Sequence, residues 1–384
     1  MLCRDYKYSG FLADYKCILD KRVRAMKKVK GHVLLYDRIR ILATLLVLIG
    51  HFTSLSMNED NLFRALSTQE DLWMPRALEL VRQFVYAFHM PLFVMLSGAL
   101  FACSKATFSK KFIAHRAKRL LLPFLIVATF AMIPVRFLIG YYPDSRSALT
   151  IVLDILLCRD INYLWYLPML FCVTVIFGFL RYKTQLLKKH SIVMLCIFAA
   201  VSAVSAQFTM LPFALNRTME FLLWFYLGMI LEQKRDRLTG IRYQGWGGII
   251  ALALLIILLV VLNLTPSNSE AITLWNLCIW GARKLATLFC SFLGCAASIL
   301  LCASMGRKSI TRPMQAVLKN SFGIYLFHVP IGYLLRQGLA AIMPEAYIHN
   351  VEYLLLTAVV AMASLVLSCL LTMVLRKLNI RVFS

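Results

Sequence analysis

The chain has 384 residues, 60% of them apolar and only 16% charged, with a net charge of +24. A soluble globular chain is nearer half apolar and a quarter charged, and neither a disordered basic tail nor a nucleic-acid binder would combine this charge with a mean hydropathy of +0.73. A soluble nucleotide-binding enzyme, a secreted disulfide scaffold and a coiled coil are excluded, which leaves an integral membrane protein with many spans.

A span needs about 20 predominantly apolar residues. In chain order such stretches lie at 34–56, 82–103, 119–140, 163–181, 191–208, 218–233, 246–264, 284–305, 320–342 and 351–375. They predict an all-α bundle of about ten transmembrane helices. The expected organisation is a basic N-terminal segment at 1–33, one polytopic membrane domain at 34–375 and a short tail at 376–384. The first thirty residues carry Arg4, Lys7, Lys16, Lys21, Arg22, Arg24, Lys27, Lys28 and Lys30 without an apolar core, so they read as a cytoplasmic segment before an uncleaved anchor.

Basic residues recur in every second connection. Lys105, Lys110, Lys111, Arg116, Lys118 and Arg119 mark one, Arg181, Lys183, Lys188 and Lys189 the next. Lys234, Arg235, Arg237 and Arg242, then Arg307, Lys308, Arg312 and Lys319, continue the alternation, and Arg376, Lys377 and Arg381 close it. The first loop instead carries Glu59, Asp60, Glu70, Asp71 and Glu79. By the positive-inside rule both termini are expected in the cytoplasm. The 11 Cys lie mostly within predicted spans, with no CxxC pair and no zinc-type His/Cys spacing, so they read as apolar packing residues and no metal is expected.

The informative residues are polar groups inside the apolar stretches. His51 sits deep in RIRILATLLVLIGHF, where an ionisable side chain is costly and marks a functional site by default. Arg40 lies eleven positions earlier, back on the same helix face to within about 20° but roughly 16 Å away along it. The two could serve two depths of one tunnel; a snorkelling Arg and a hydrogen-bonded structural His are the plainer alternative. FHMPLFVMLSGAL places His89 two residues before Pro91 in the second stretch. Arg116 and Arg119, three apart at the inner edge of the third, suit phosphate recognition, or serve simply as cytoplasmic anchors. In SFGIYLFHVPI, Ser321, Tyr325 and His328 fall at i, i+4 and i+7 on one face, which must look into the bundle or a wet cavity. Interhelical packing by hydrogen bonds is the structural alternative for that stripe.

Together these segments resemble acyltransferase family 3, membrane O-acyltransferases that modify extracytoplasmic glycans. YDRIRILATLLVLIGH resembles the family's first-helix motif of an Arg, ten residues and a His, here Arg40 and His51. FHMPLFVMLSGAL is similar to its second-helix segment, notably in the fucose-acetylase-like branch, and RAKR at 116–119 to an Arg-x-x-Arg motif. LWYLPMLF, FLLWFYLGMIL and SFGIYLFHVPI look like its later landmarks. The resemblance implies transfer of an acyl group, usually acetyl from acetyl-CoA, from the cytoplasm to a sugar hydroxyl on the other side. It matches His51 to the essential histidine, and Arg40, Arg116 and Arg119 to arginines serving the acyl-CoA donor.

The chemistry is coherent from the residues upward. A neutral imidazole can remove the proton of a sugar hydroxyl as it attacks a thioester. His89 is expected as a second acid/base or an orienting group, and Asp37 as a partner that fixes the Arg40 rotamer or pairs with another basic residue. Direct transfer and a covalent acyl-His intermediate both remain open. No permanently bound cofactor is expected, only acyl-CoA as co-substrate. The expected partners are membrane lipid and a glycan, with no nucleic acid, in the cytoplasmic (inner) membrane of a bacterium. Relatives often carry an added esterase-like domain; this sequence stops nine residues after its last span, so any second transfer step is expected to use a different protein or none. The rival class is a multi-span transporter or flippase of an acyl or glycan intermediate, against which stand the lack of an inverted repeat and of an acidic residue clearly in mid-span.

Overall fold

The computed structural model describes residues 34–53, 73–142, 146–183, 187, 190–205, 211–239, 243–265, 274–306, 308–342 and 350–383, and every regular element among them is helical. The basic segment at 1–33 and most of the acidic first loop lie outside the described residues. The helices, in chain order, are α1 (34–52), α2 (Met74–Tyr86), α3 (His89–Cys103), α4 (Lys110–Val127) and α5 (Ile133–Leu138). They continue with α6 (Ala148–Leu156), α7 (Tyr166–Lys183), α8 (Ser191–Ser205) and α9 (Leu215–Thr239). The last four are α10 (Gln244–Leu264), α11 (Leu274–Ser304), α12 (Arg312–Ile342) and α13 (Asn350–Lys377).

Among the described residues six helical units are long and apolar enough to cross a membrane: Met74–Cys103, Lys110–Leu138, Asn162–Tyr182, Gln244–Leu264, Cys278–Ser304 and Asn350–Lys377. The chain is therefore a multi-pass, all-α membrane protein. The stretches expected at 34–56, 191–208, 218–233 and 320–342 fall on α1, α8, α9 and α12, which are not among these six. Helix α8 has only 15 residues. The others carry charges within their length, Asp37, Arg38 and Arg40 on α1, Arg217 and Glu220 on α9, and Lys319 and Arg336 on α12. Such charges belong on helices that face protein rather than lipid. Among the six units, 61% of the Met74–Cys103 window is inside the fold, against 17% for Gln244–Leu264 and 22% for Asn350–Lys377, whose apolar surfaces are left for lipid.

Proline shapes two of the long units. In Met74–Cys103, α2 stops at Tyr86 and α3 begins at His89, because Pro91 cannot donate to the Ala87 carbonyl. In Lys110–Leu138, Pro134 cannot donate to the carbonyl of Phe130, and a five-residue π-helical turn at Ala128–Met132 absorbs the irregularity. At the centre α3 and α9 cross most closely. Gly98 lies against the Phe225 backbone and Gly228 against the Met95 backbone, so a Cβ at either position would overlap main chain. This reciprocal small-residue crossing lets two apolar helices pack without a hydrophobic driving force. Helix α8 leans on α9, α10 on α11, α12 on α13, and α4 on α7.

Several basic residues serve helix ends instead of chemistry. Arg38 donates to the carbonyls of Cys302 (3.1 Å) and Gly306 (2.9 Å) and also to Lys308, closing the C-terminus of α11, where Gly306 adopts φ +60°. Arg283 donates to the Thr265 carbonyl (2.9 Å) and hydroxyl (2.9 Å), closing α10. Arg336 donates to the Phe52 carbonyl at 3.4 Å at the end of α1.

Candidate active site

Two short segments with the pattern Phe-His-x-Pro, Phe88–Pro91 and Phe327–Pro330, set the geometry of the site. Each proline lacks an N–H, so the carbonyl four residues earlier loses its helical partner. The carbonyl released by Pro91 belongs to Ala87, and the Ser291 hydroxyl of α11 donates to it at 2.5 Å. The carbonyl released by Pro330 belongs to Leu326, and the Tyr163 hydroxyl donates to it at 2.5 Å. Tyr325 returns the contact, its hydroxyl donating to the Tyr163 carbonyl at 2.7 Å. The residue before Tyr163, Asn162, holds φ +45°, a conformation that Asn tolerates well, and its amide donates to the Tyr333 hydroxyl at 3.1 Å.

Both histidines are oriented by their own helices. His89 Nδ1 lies 3.0 Å from the Val85 carbonyl, and His328 Nδ1 lies 2.8 Å from Ile324 O and 2.9 Å from Tyr325 O. A carbonyl only accepts, so Nδ1 carries the proton in each ring and Nε2 keeps a lone pair. The Nε2 of His328 is buried without a hydrogen-bond partner among the described residues. His51 completes the group from the end of α1. Its ring centroid is 5.2 Å from that of His328 and 6.1 Å from those of Tyr86 and Tyr163, and Tyr86 lies 4.8 Å from His89.

His51, His89, Tyr86, Tyr163 and Tyr325 line a cavity of about 830 Å³. Its other walls come from α8, α9 and α11, with Ser202, Asn216, Arg217, Glu220, Lys284 and Thr287. The Arg217 guanidinium binds Glu220 at 2.9 Å and lies 5.1 Å above the Trp165 ring, which stacks on Phe221 at 5.4 Å. An imidazole that lines a cavity with polar groups inside an apolar bundle can accept a proton from a bound hydroxyl through an unprotonated ring nitrogen.

The fold thus brings His51, His89, Tyr325 and His328 together, His328 standing directly behind His51 and outside the cavity wall. The other sequence-derived candidates lie elsewhere. Arg40, Arg116, Arg119, Asp37 and Ser321 do not line the cavity. Arg40 is half-buried on α1, in electrostatic range of Tyr166, whose hydroxyl is 3.0 Å from Ser97 Oγ and whose ring is 5.5 Å from Tyr325. A chain of ring contacts leads from Tyr166 through Tyr325 to Tyr163 and His328. Arg116 is half-buried with its guanidinium 5.3 Å above the Phe112 ring, and Arg119 is exposed. Asp37 is half-buried near Arg40 without a direct ion pair among the described residues. The described residues hold no group of three or more His, Cys, Asp and Glu able to bind a metal.

Sequence reasoning missed Tyr86, Tyr163 and Lys284. Lys284 was visible as a charge within an apolar stretch. Tyr86 and Tyr163 carried no such signal, because an aromatic ring in a span is usually packing.

The model of acyltransferase family 3, described as an acyltransferase domain, matches residues 35–373. No curated protein and no solved structure matches the chain.

Proposed function

We propose how this chain, which belongs to acyltransferase family 3, carries out its transfer. Membership makes it a membrane acyltransferase. The finer reading is O-acetylation: an acetyl group passes from acetyl-CoA on the cytoplasmic side to a hydroxyl of a surface or lipid-linked glycan on the other side of a bacterial cytoplasmic membrane. The helix bundle crosses about ten times with both termini inside. Convergence of His51 and His89 on one polar cavity carries this reading.

In that cavity the glycan hydroxyl donates to the His51 imidazole, which removes its proton as the oxygen attacks the thioester carbonyl. The tetrahedral intermediate collapses, the new ester keeps the acyl carbon, and the leaving thiolate takes the proton from His51. His328, its Nδ1–H anchored on two helix carbonyls, fixes the His51 ring from behind. His89 offers the Nε2 lone pair to the substrate as a second acid/base or orienting group. Arg40, Arg116 and Arg119 hold the CoA phosphates on the inner side, where guanidinium groups suit phosphate oxygens. Tyr325 borders the route between them.

The test is the glycan of a strain lacking this chain, read by NMR for O-acyl signals. The parent chain should restore the missing signal, and His51→Ala at equal membrane abundance should lower transfer by roughly 10²–10⁴-fold, the usual range for loss of a general base. Full restoration by His51→Ala would remove His51 from the chemistry.

A further inference from the structure

We propose that the acceptor carries an anionic group, a carboxylate or a phosphate, and that Lys284 on the wall of the cavity reads it. The proposal rests on the acyl-transfer reading above and specifies the acceptor that this same cavity takes.

Two adjacent basic residues on α11, Arg283 and Lys284, stand within the apolar stretch Cys278–Ser304. Their fates differ. Arg283 turns to the C-terminus of α10, where the Thr265 and Leu262 carbonyls and the Thr265 hydroxyl absorb its donors. Lys284 turns the other way, half-buried, into the cavity. Thr287, Leu288 and Ser291 line the same wall, and with Lys284 they form the i, i+3, i+4, i+7 face of one helix. The side chain is therefore aimed by the helix face and not by a loop.

Among the residues lining the cavity, Glu220 is the one carboxylate, and it is bound by Arg217 at 2.9 Å. Lys284 forms no ion pair among the described residues. The cavity wall thus holds two cations and one anion. A cation in an apolar bundle is costly without a partner, and helices place such charges where a ligand or a water-filled path meets them. An anionic substituent on the acceptor supplies the missing charge. Asn216, Asn162 and Ser202 line the same space with neutral donors and acceptors suited to sugar hydroxyls. A unit anchored by its anion at Lys284 can present a hydroxyl to His51 and His89 in the same cavity, which converts anion binding into orientation of the nucleophile.

The experiment compares surface glycan from a deletion strain carrying the parent chain, Lys284→Gln or Lys284→Arg, at equal membrane abundance. Mass spectrometry of the depolymerised glycan identifies the unit that gains an acyl group with the parent chain. Phosphatase treatment and carbodiimide reduction of carboxyl groups then separate a phosphate ester from a uronate or similar sugar acid. We expect the acylated unit to respond to one of these two treatments. Lys284→Gln should lower its acylation about tenfold or more, the scale of a lost charged hydrogen bond, while Lys284→Arg keeps most of it. Acylation of a neutral unit, or parent-level acylation by Lys284→Gln, would overturn the assignment while leaving acyl transfer intact. A parent chain that adds no acyl group to any glycan would overturn the reading of a glycan as the acceptor, and this proposal with it.

Discussion

The segments Phe88–Pro91 and Phe327–Pro330 spell nearly the same four residues and end in different settings. Both turn a histidine Nδ1 onto a carbonyl of its own helix, and both release one carbonyl by proline. The Pro91 vacancy is filled from α11 by Ser291, a small hydroxyl that also reaches its own Thr287 carbonyl at 3.1 Å. The Pro330 vacancy is filled by Tyr163, a whole aromatic ring, which thereby becomes part of the wall around His51. His89 consequently faces the cavity, whereas His328 is 0% exposed behind His51. One local motif yields a group that can meet substrate and a group that positions another. They differ as well in the partner that fills the released carbonyl, a serine hydroxyl in one and a tyrosine in the other.

Variants can break this comparison. The largest effects should come from the imidazoles. His89→Ala should lower transfer by about 10²–10⁴-fold if the ring acts directly on substrate. His328→Ala should cost about 10²-fold through misplacement of His51, with kcat falling and the acceptor KM held, since the ring touches His51 and not the cavity. Steady-state kinetics on both variants decides; a larger loss with a changed KM at His328 would exchange their roles.

Next comes Tyr163→Phe, which leaves the buried Leu326 carbonyl without its donor and should destabilise the protein by about 1 kcal/mol. The same change in a Pro330→Ala background should cost much less, because an alanine at that position supplies an N–H to the same carbonyl. Thermal unfolding of the four proteins forms a double-mutant cycle, and additivity would disprove the link between proline and tyrosine. The smallest effect belongs to Ser291→Ala, near the ~0.6 kcal/mol average for bilayer hydrogen bonds. Its single proton is already shared between two carbonyls.

Much of the site was legible as chemistry and little of it as geometry. His51 and His89 announced themselves because imidazoles in apolar stretches are costly. The face shared by Ser321, Tyr325 and His328 was readable from helical periodicity, yet only Tyr325 reaches the cavity, with His328 behind it and Ser321 outside. Arg38 looked no different from Arg40, but it spends its donors on the end of α11. Arg283 and Lys284 are neighbours that point to opposite tasks, and no property of the pair alone separates them.

Composition and hydropathy alone determined that this chain lives in lipid as helices, because an apolar stretch must satisfy its backbone internally. They also exposed the histidines and charges whose presence there demands a reason. Which of those groups meet was decided by tertiary structure. Periodicity orients a side chain around its own axis but says nothing of the helix opposite. That neighbour was settled by close glycine crossings and by distant hydroxyls reaching the carbonyls that proline had set free.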